Sequence, residues 1–205
     1  MKHTDIINKI IEKNNFKSYL EIGVGDGESF KKINCELKES CDPYNDEKDG
    51  MYNKDLITYH MTSDEMFKNM DTNKKYDVIF IDGLHIGNQV LKDLWNSLNH
   101  ITENGYVLIH DSVPLYAGMC STERCNGEWV GTVYKIYPIL LKEDINFYIL
   151  NDDFGIGVVR GNQKFKSINV PQESDMSFKE VFYNTEFDYP RLYKMRWAYQ
   201  MDEFN

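Results

Sequence analysis

The chain has 205 residues, 41% hydrophobic and 27% charged, with a formal net charge of −10. That length suits one domain with a well-developed core, no apolar run approaches the ~20 residues of a membrane span, and the negative field disfavours nucleic-acid phosphates. The opening MKHTDIINKI lacks the pattern of a secretory signal, and Cys35, Cys41, Cys120 and Cys125 are too few and scattered for a disulfide framework, so a cytoplasmic protein with reduced thiols is expected.

In chain order, Ile6, Ile7, Ile10 and Ile11 recur at helical spacing behind a Thr or Asp cap. SYLEIG reads as a short buried strand running into a glycine turn, and ESFKKIN as a helix. ELKESCDPY is a second strand ending at Asp42-Pro43. LITYH is expected as a third strand to about His60, before a helix capped by Thr62 or Ser63. YDVIFIDG has the continuous apolar character of a strand covered on both faces. Ile86, Val90, Leu91, Leu94, Trp95 and Leu98 then mark an amphipathic helix, and ENG turns the chain into the strand YVLIHD. WVGTVYKIYPILL is expected to be helical at least until Pro138, and NFYIL and FGIGVVR to form a closing hairpin across NDD.

This alternation predicts an α/β, Rossmann-like, doubly wound and mostly parallel sheet with a terminal antiparallel hairpin, whose ligands sit at the carboxyl ends of the strands. The predicted domain is 1–161. Residues 162–205 form an aromatic-rich C-terminal extension expected to pack on the domain or on a partner subunit, which makes a homodimer plausible.

The turn LEIGVGDG has the spacing E-x-G-x-G-x-G, which departs from the dinucleotide fingerprint and lacks the Lys-Ser/Thr of a phosphate-cradling loop. Carboxylates at Glu21 and Asp26 would oppose a pyrophosphate and tolerate a cationic ligand, which argues against an NAD-binding oxidoreductase. Here the sequence resembles the class I S-adenosylmethionine (SAM)-dependent methyltransferases over roughly residues 17–160, with the four motifs in the expected order. The resemblance implies a seven-stranded sheet and places Gly23, Gly25 and Gly27 against the methionine part of the cofactor, with Glu21 beside them. Asp42 would hold the ribose hydroxyls, because a carboxylate can accept from both. Thr62, Ser63 and Asp64 would line the adenine. The blander readings are a plain tight turn for the glycines, a turn former for Asp42 and an early-helix acid for Asp64.

FIDGLH and LIHDSVP end the two most apolar strands, which would be sheet neighbours carrying Asp82, His85, His110 and Asp111 into one cleft. The pattern resembles the metal-dependent small-molecule O-methyltransferases, of the catechol and macrolide-sugar types (methyltransferase family 24-like). That resemblance implies magnesium on Asp82 and Asp111, with His85 as general base. It departs from the family at the third ligand, where His110 and Ser112 stand in place of a carboxylate or amide. Asp82 is alternatively a cofactor contact or a helix cap, His85 a loop histidine, and His110 a residue pointing into the packing layer because strand neighbours alternate. His3, His60 and His100 have no comparable context, and Cys120 and Cys125 lack the companions a zinc site needs. In the long connection after the fifth strand, Glu128 and Trp129 are candidate acceptor contacts, in a stretch loosely resembling methyltransferases of polysaccharide or glycoside modification. The implied activity is methyl transfer to a hydroxyl of a small molecule, a sugar or glycoside by this resemblance. The alternatives are a metal-independent N-methyltransferase on a sugar amine or protein side chain, and an inactive cofactor-binding subunit.

Overall fold

The computed structural model describes residues 1–43, 54–124 and 127–183. One mixed sheet contains β1 (Ser18–Ile22), β2 (Leu37–Cys41), β3 (Tyr76–Ile81), β4 (Ile101–Ile109), β5 (Phe147–Leu150) and β6 (Ile156–Arg160), in the order β2-β1-β3-β4-β6-β5. The first four are parallel, whereas β6 runs antiparallel to both β4 and β5. The chain winds outward from β1 to β2 and returns to β3 on the other side. The switch in direction, where α/β sheets open a crevice, therefore lies between β1 and β3.

The apolar runs are continuous because both sheet faces are covered. Along β3, Ile79 and Ile81 face one core with Leu91, Leu94 and Leu98 of α4 (Gly87–His100). Val78 and Phe80 face the other, with Ile6, Ile7 and Ile10 of α1 (His3–Asn14). α2 (Glu28–Lys32) follows the glycine turn, and α3 (Ser63–Asn69) begins with a reciprocal cap between Thr62 and Glu65.

Six strands are present among the described residues, not seven. The expected third strand is replaced by a 3₁₀ turn, Lys54–Leu56, and a single parallel bridge between Cys41 and Tyr59. The local backbone is satisfied by side chains instead: the Thr58 N–H donates to Ser40 Oγ (3.0 Å), and the Ser40 N–H to Thr58 Oγ1 (3.2 Å). Pro138 opens a helix rather than closing one. It sits in the first turn of α5 (Tyr137–Lys142), where a missing N–H costs nothing, behind a 3₁₀ turn at Val133–Ile136. The expected turn at ENG is absent too, since β4 runs through Glu103 and Asn104 and a register shift opposite Tyr76 and Val78 absorbs the irregularity. Of the C-terminal extension, Val181 is buried in the core and Phe178 meets Tyr134 edge-on (6.2 Å between centroids); residues 184–205 lie outside the described residues. No described helix is long and apolar enough to cross a membrane.

Three hydrogen bonds continue the ladder one residue beyond the strands: Gly23 N–H to Cys41 O (2.9 Å), Asp82 N–H to Ile22 O (2.8 Å) and His110 N–H to Ile81 O (3.0 Å). They join the carboxyl ends of β2, β1, β3 and β4 in sheet order. Gly23, with φ +87°, makes this possible: a Cβ there would lie 2.3 Å from the Asp82 carbonyl oxygen and 2.4 Å from Gly83 Cα. Gly23→Ala is expected to lower stability by about 2–4 kcal/mol, from the left-handed strain plus a backbone clash. Urea unfolding checks this, and an unchanged midpoint would contradict the close approach.

Candidate active site

Beyond these strand ends lies a cleft of about 940 Å³. Its floor is the glycine turn, held by Asp42, whose Oδ2 accepts from the Val24 N–H (3.0 Å) and the Gly25 N–H (3.2 Å). Gly25 has φ +53° and only open space where a Cβ would project, so ligand atoms can approach its backbone. Gly27 serves differently: it does not line the cleft, and its positive φ (76°) starts α2. Glu21 lines the cleft but is almost fully buried; the Tyr19 hydroxyl donates to its Oε2 (2.6 Å). Burial pushes the Glu21 carboxyl up to about 8, against the opposing effect of the Tyr19 bond.

Thr62, Ser63 and Asp64 line the side wall. Behind them stand Gln89 and Asp93, which the sequence reading did not single out. Gln89 Nε2 donates to Ser63 Oγ (3.2 Å), Asp64 Oδ1 (3.1 Å) and Asp93 Oδ1 (3.1 Å). Asp93 is only 1% exposed and lines the cleft, and burial raises it to about 6 despite bonds from Ser63 and Gln89. The only sequence signal was a charged residue on the apolar stripe of α4, at helical spacing from Val90 and Leu94.

The opposite end collects the acids and imidazoles. His110 Nδ1 lies 3.1 Å from Asp82 Oδ1 and 3.7 Å from Asp111 Oδ1. His85 Nδ1 lies 3.1 Å from Asp111 Oδ2, out of line for a hydrogen bond, and its Nε2 lies 3.5 Å from Asp82 Oδ1. His110 therefore points into the cleft, not into the packing layer. Strand alternation fails because β4 ends at Ile109 and Asp111 adopts φ +55°, so neighbouring side chains converge. His3 also has a context that was not expected: its Nδ1 lies 2.5 Å from Asp153 Oδ2, behind His110. His60 is exposed, and buried His100 places Nδ1 3.0 Å from the Lys74 carbonyl. Cys35, Cys41 and Cys120 are free, and Cys125 lies outside the described residues.

Burial disfavours ionised Asp82, yet His110 and His85 outweigh it and hold the carboxyl well below the usual range. Burial dominates at Asp111 and raises it, with His110 opposing. For His85, burial works against the charge but Asp82 and Asp111 win, so the imidazole is raised. Trp129 stacks on the His85 ring (4.7 Å between centroids, 18° between planes), and Glu128 lines the cleft beside it. The Thr132 N–H donates to the His85 carbonyl (2.8 Å). At Gly131 a Cβ would meet that same oxygen at 1.9 Å, so the 129–132 segment is pressed against the histidine loop.

Residues 20–112, just under half of the chain, match a family model described as a methyltransferase domain. They carry the glycine turn, Asp42, Asp82, His85 and Asp111, so the strand-end residues of the cleft fall within the matched segment. No curated protein matches the sequence. Among solved structures the fold is similar to a protein assigned as a caffeoyl-CoA O-methyltransferase from Staphylococcus aureus, at 24% identity and TM-score 0.55, over 77% of this chain and 82% of that one. It is also similar to the O-methyltransferase from Bacillus cereus in complex with SAH, at 13% identity and TM-score 0.56, over 77% and 80%. A third is TomG from Streptomyces achromogenes, an O-methyltransferase of tomaymycin synthesis in complex with SAM, at 12% identity and TM-score 0.53, over 77% and 78%. The fold is thus that of the methyltransferases.

Asp93 gives the cleft wall a pH signature. Its folded value, about 6, is above the unfolded value near 3.8, so the unfolded chain loses its proton first. The stability contribution is present in full below about pH 4 and declines as pH rises to about 6, on the order of 2–3 kcal/mol in all. Asp93→Asn should flatten that part of the urea midpoint against pH curve, and an unaltered slope would contradict the assignment.

Proposed function

We propose that the protein is a SAM-dependent methyltransferase that moves the methyl group to a hydroxyl of a small molecule. The observation that carries this reading is the single cleft joining the turn at Gly23–Gly25 and Asp42 to Asp82, His85 and Asp111. The glycine turn offers bare backbone to the methionyl part of the cofactor, and Asp42, braced by two loop N–H groups, faces its ribose. Ser63 and Asp64, backed by Gln89, form the adenine wall. Asp82 borders both halves of the cleft and stands beside the transferring methyl.

In the transfer, the acceptor oxygen attacks the methyl carbon in line with the sulfonium sulfur. The carbon–sulfur bond breaks, its electrons stay on the thioether of S-adenosylhomocysteine, and the hydroxyl proton passes to the neutral His85 imidazole. Trp129 covers one face of that imidazole. The carboxylates of Asp82 and Asp111 converge with His110 so that their ligand atoms lie within 4.8 Å of one another, which fits a divalent cation. Such an ion, when bound, lowers the pKa of a coordinated hydroxyl. Acids beside Trp129 suit a sugar or glycoside as acceptor, with Glu128 receiving its hydroxyl hydrogens.

Two variants separate the two halves of the cleft. Asp42→Ala should abolish the calorimetric signal for S-adenosylhomocysteine. His85→Ala should keep that signal within about threefold while turnover falls at least a hundredfold. Retained binding in the first variant, or retained turnover in the second, would remove the corresponding role.

A further inference from the structure

We infer, on the basis of the metal-assisted reading above, that His110 supplies the third protein ligand through Nδ1, that Asp153 orients it from behind, and that the site takes a nitrogen-accepting transition ion of the zinc, cobalt or iron class over magnesium. The resemblance to oxygen-ligated magnesium enzymes leads one to look for a carboxylate or amide after Asp111. Ser112 occupies that position, but its hydroxyl donates to the Ile109 carbonyl (2.9 Å) and it is fully buried, turned away from the acids. His110 precedes Asp111 and its Nδ1 is the atom that reaches both carboxylates. Ligand atoms around a tetrahedral ion at about 2.1 Å are roughly 3.4 Å apart. The separations of 3.1 and 3.7 Å need little adjustment.

The second nitrogen strengthens the assignment. His110 Nε2 is buried without a hydrogen-bond partner and lies 3.7 Å from Asp153 Oδ2. A carboxylate behind the distal nitrogen of an imidazole is the arrangement that fixes tautomer and ring plane in metal-bound histidines. Asp153 is itself anchored. Lys2 Nζ donates to Oδ1 (2.8 Å), the His3 N–H donates to Oδ2 (2.9 Å), and the His3 Nδ1 lies 2.5 Å from the same Oδ2. His3, stacked on Phe80 and bonded through Nε2 to Ser29 Oγ (2.6 Å), closes the far side. Imidazole donors shift a site toward zinc, cobalt and iron, whereas magnesium prefers an all-oxygen, largely hydrated shell. Asp153 is a positioning residue here, acting through His110.

The test uses the chelator-stripped full chain titrated with cobalt(II), with magnesium as competitor. The expected result is a visible ligand-field spectrum and cobalt(II) affinity at least tenfold above that for magnesium. His110→Ala should lose the spectrum and at least tenfold in affinity, and Asp153→Asn should weaken cobalt(II) about tenfold with the spectrum altered. Asp82→Asn should weaken both ions. Pulsed electron paramagnetic resonance of the copper(II)-loaded wild type should show imidazole nitrogen coupling, which keeps the question open to test if a variant fails to fold. Cobalt(II) bound no better than magnesium, or no imidazole coupling, would overturn the assignment while leaving the metal-assisted reading standing. Failure of both ions to bind at millimolar concentration would remove that reading, and this inference with it.

Discussion

The placement of the acids in the cleft depends on the backbone ladder continuing one residue past the strands. Without the bonds from Gly23 to Cys41, Asp82 to Ile22 and His110 to Ile81, the turns after the four parallel strands would diverge as separate loops. With them, Asp42, Asp82 and Asp111 project from fixed points along one sheet edge, Asp42 separated from Asp82 by β1. The Gly23 backbone lying against the Asp82 carbonyl joins the glycine turn to the acidic turn at a distance no side-chain-bearing residue could maintain. Precision of placement therefore comes from the sheet, whose strands are covered on both faces, rather than from the turns themselves.

The histidine loop after β3 needs separate support, because it lies outside the ladder. That support comes from remote parts of the chain. Thr132 donates its N–H to the His85 carbonyl, and its Oγ1 accepts from the Gly87 N–H (2.8 Å) at the start of α4. Glu173, well inside the C-terminal segment, accepts from the Asn88 N–H (3.1 Å) and lies 3.0 Å from Thr132 Oγ1, while Asn88 Oδ1 accepts from the Glu173 N–H (2.8 Å). A carboxylate at this position satisfies an otherwise orphaned amide and complements the helix dipole. Glu173 of the C-terminal segment thus takes part in fixing the loop that carries His85.

Much of this was legible in the sequence, for a physical reason. Strand-end motifs are local, so an apolar run followed by glycine and acid reports both the element and the direction in which its last side chains point. Asp42, Asp82, His85 and Asp111 were singled out from such strand ends together with the resemblance to methyltransferases, and all four line one cleft. His110 was expected in the cleft with packing as the alternative that alternation would give, and one left-handed residue, Asp111, sets aside that alternative just after the strand. The errors have equally specific causes. LITYH has strand composition, yet Ser40 and Thr58 exchange side-chain bonds with the backbone and leave only one bridge at Tyr59. His3 is far from His110 in sequence, and only the turn between β5 and β6 brings Asp153 between them. Asp93 carries an acid on an apolar helical stripe, which gains meaning only when Ser63 and Gln89 are known to face it.

The charge arrangement ties these parts to one chemistry. Glu21, Asp42, Asp82, Asp93 and Asp111 all line the cleft and are mostly buried, a costly concentration unless each is protonated, bonded or paired. The protein meets that cost differently at each position. Glu21 is raised to about 8 and Asp93 to about 6 by burial, Asp42 accepts from two loop amides, and Asp82 is paired with imidazoles. Asp82, held ionised by His110 and His85 against its burial, lies between the glycine turn and His85, where a sulfonium would lie under the proposed reading. Negative charge there stabilises the bound cation, and methyl transfer discharges that cation as the thioether forms. The product therefore loses an electrostatic attraction that the substrate had.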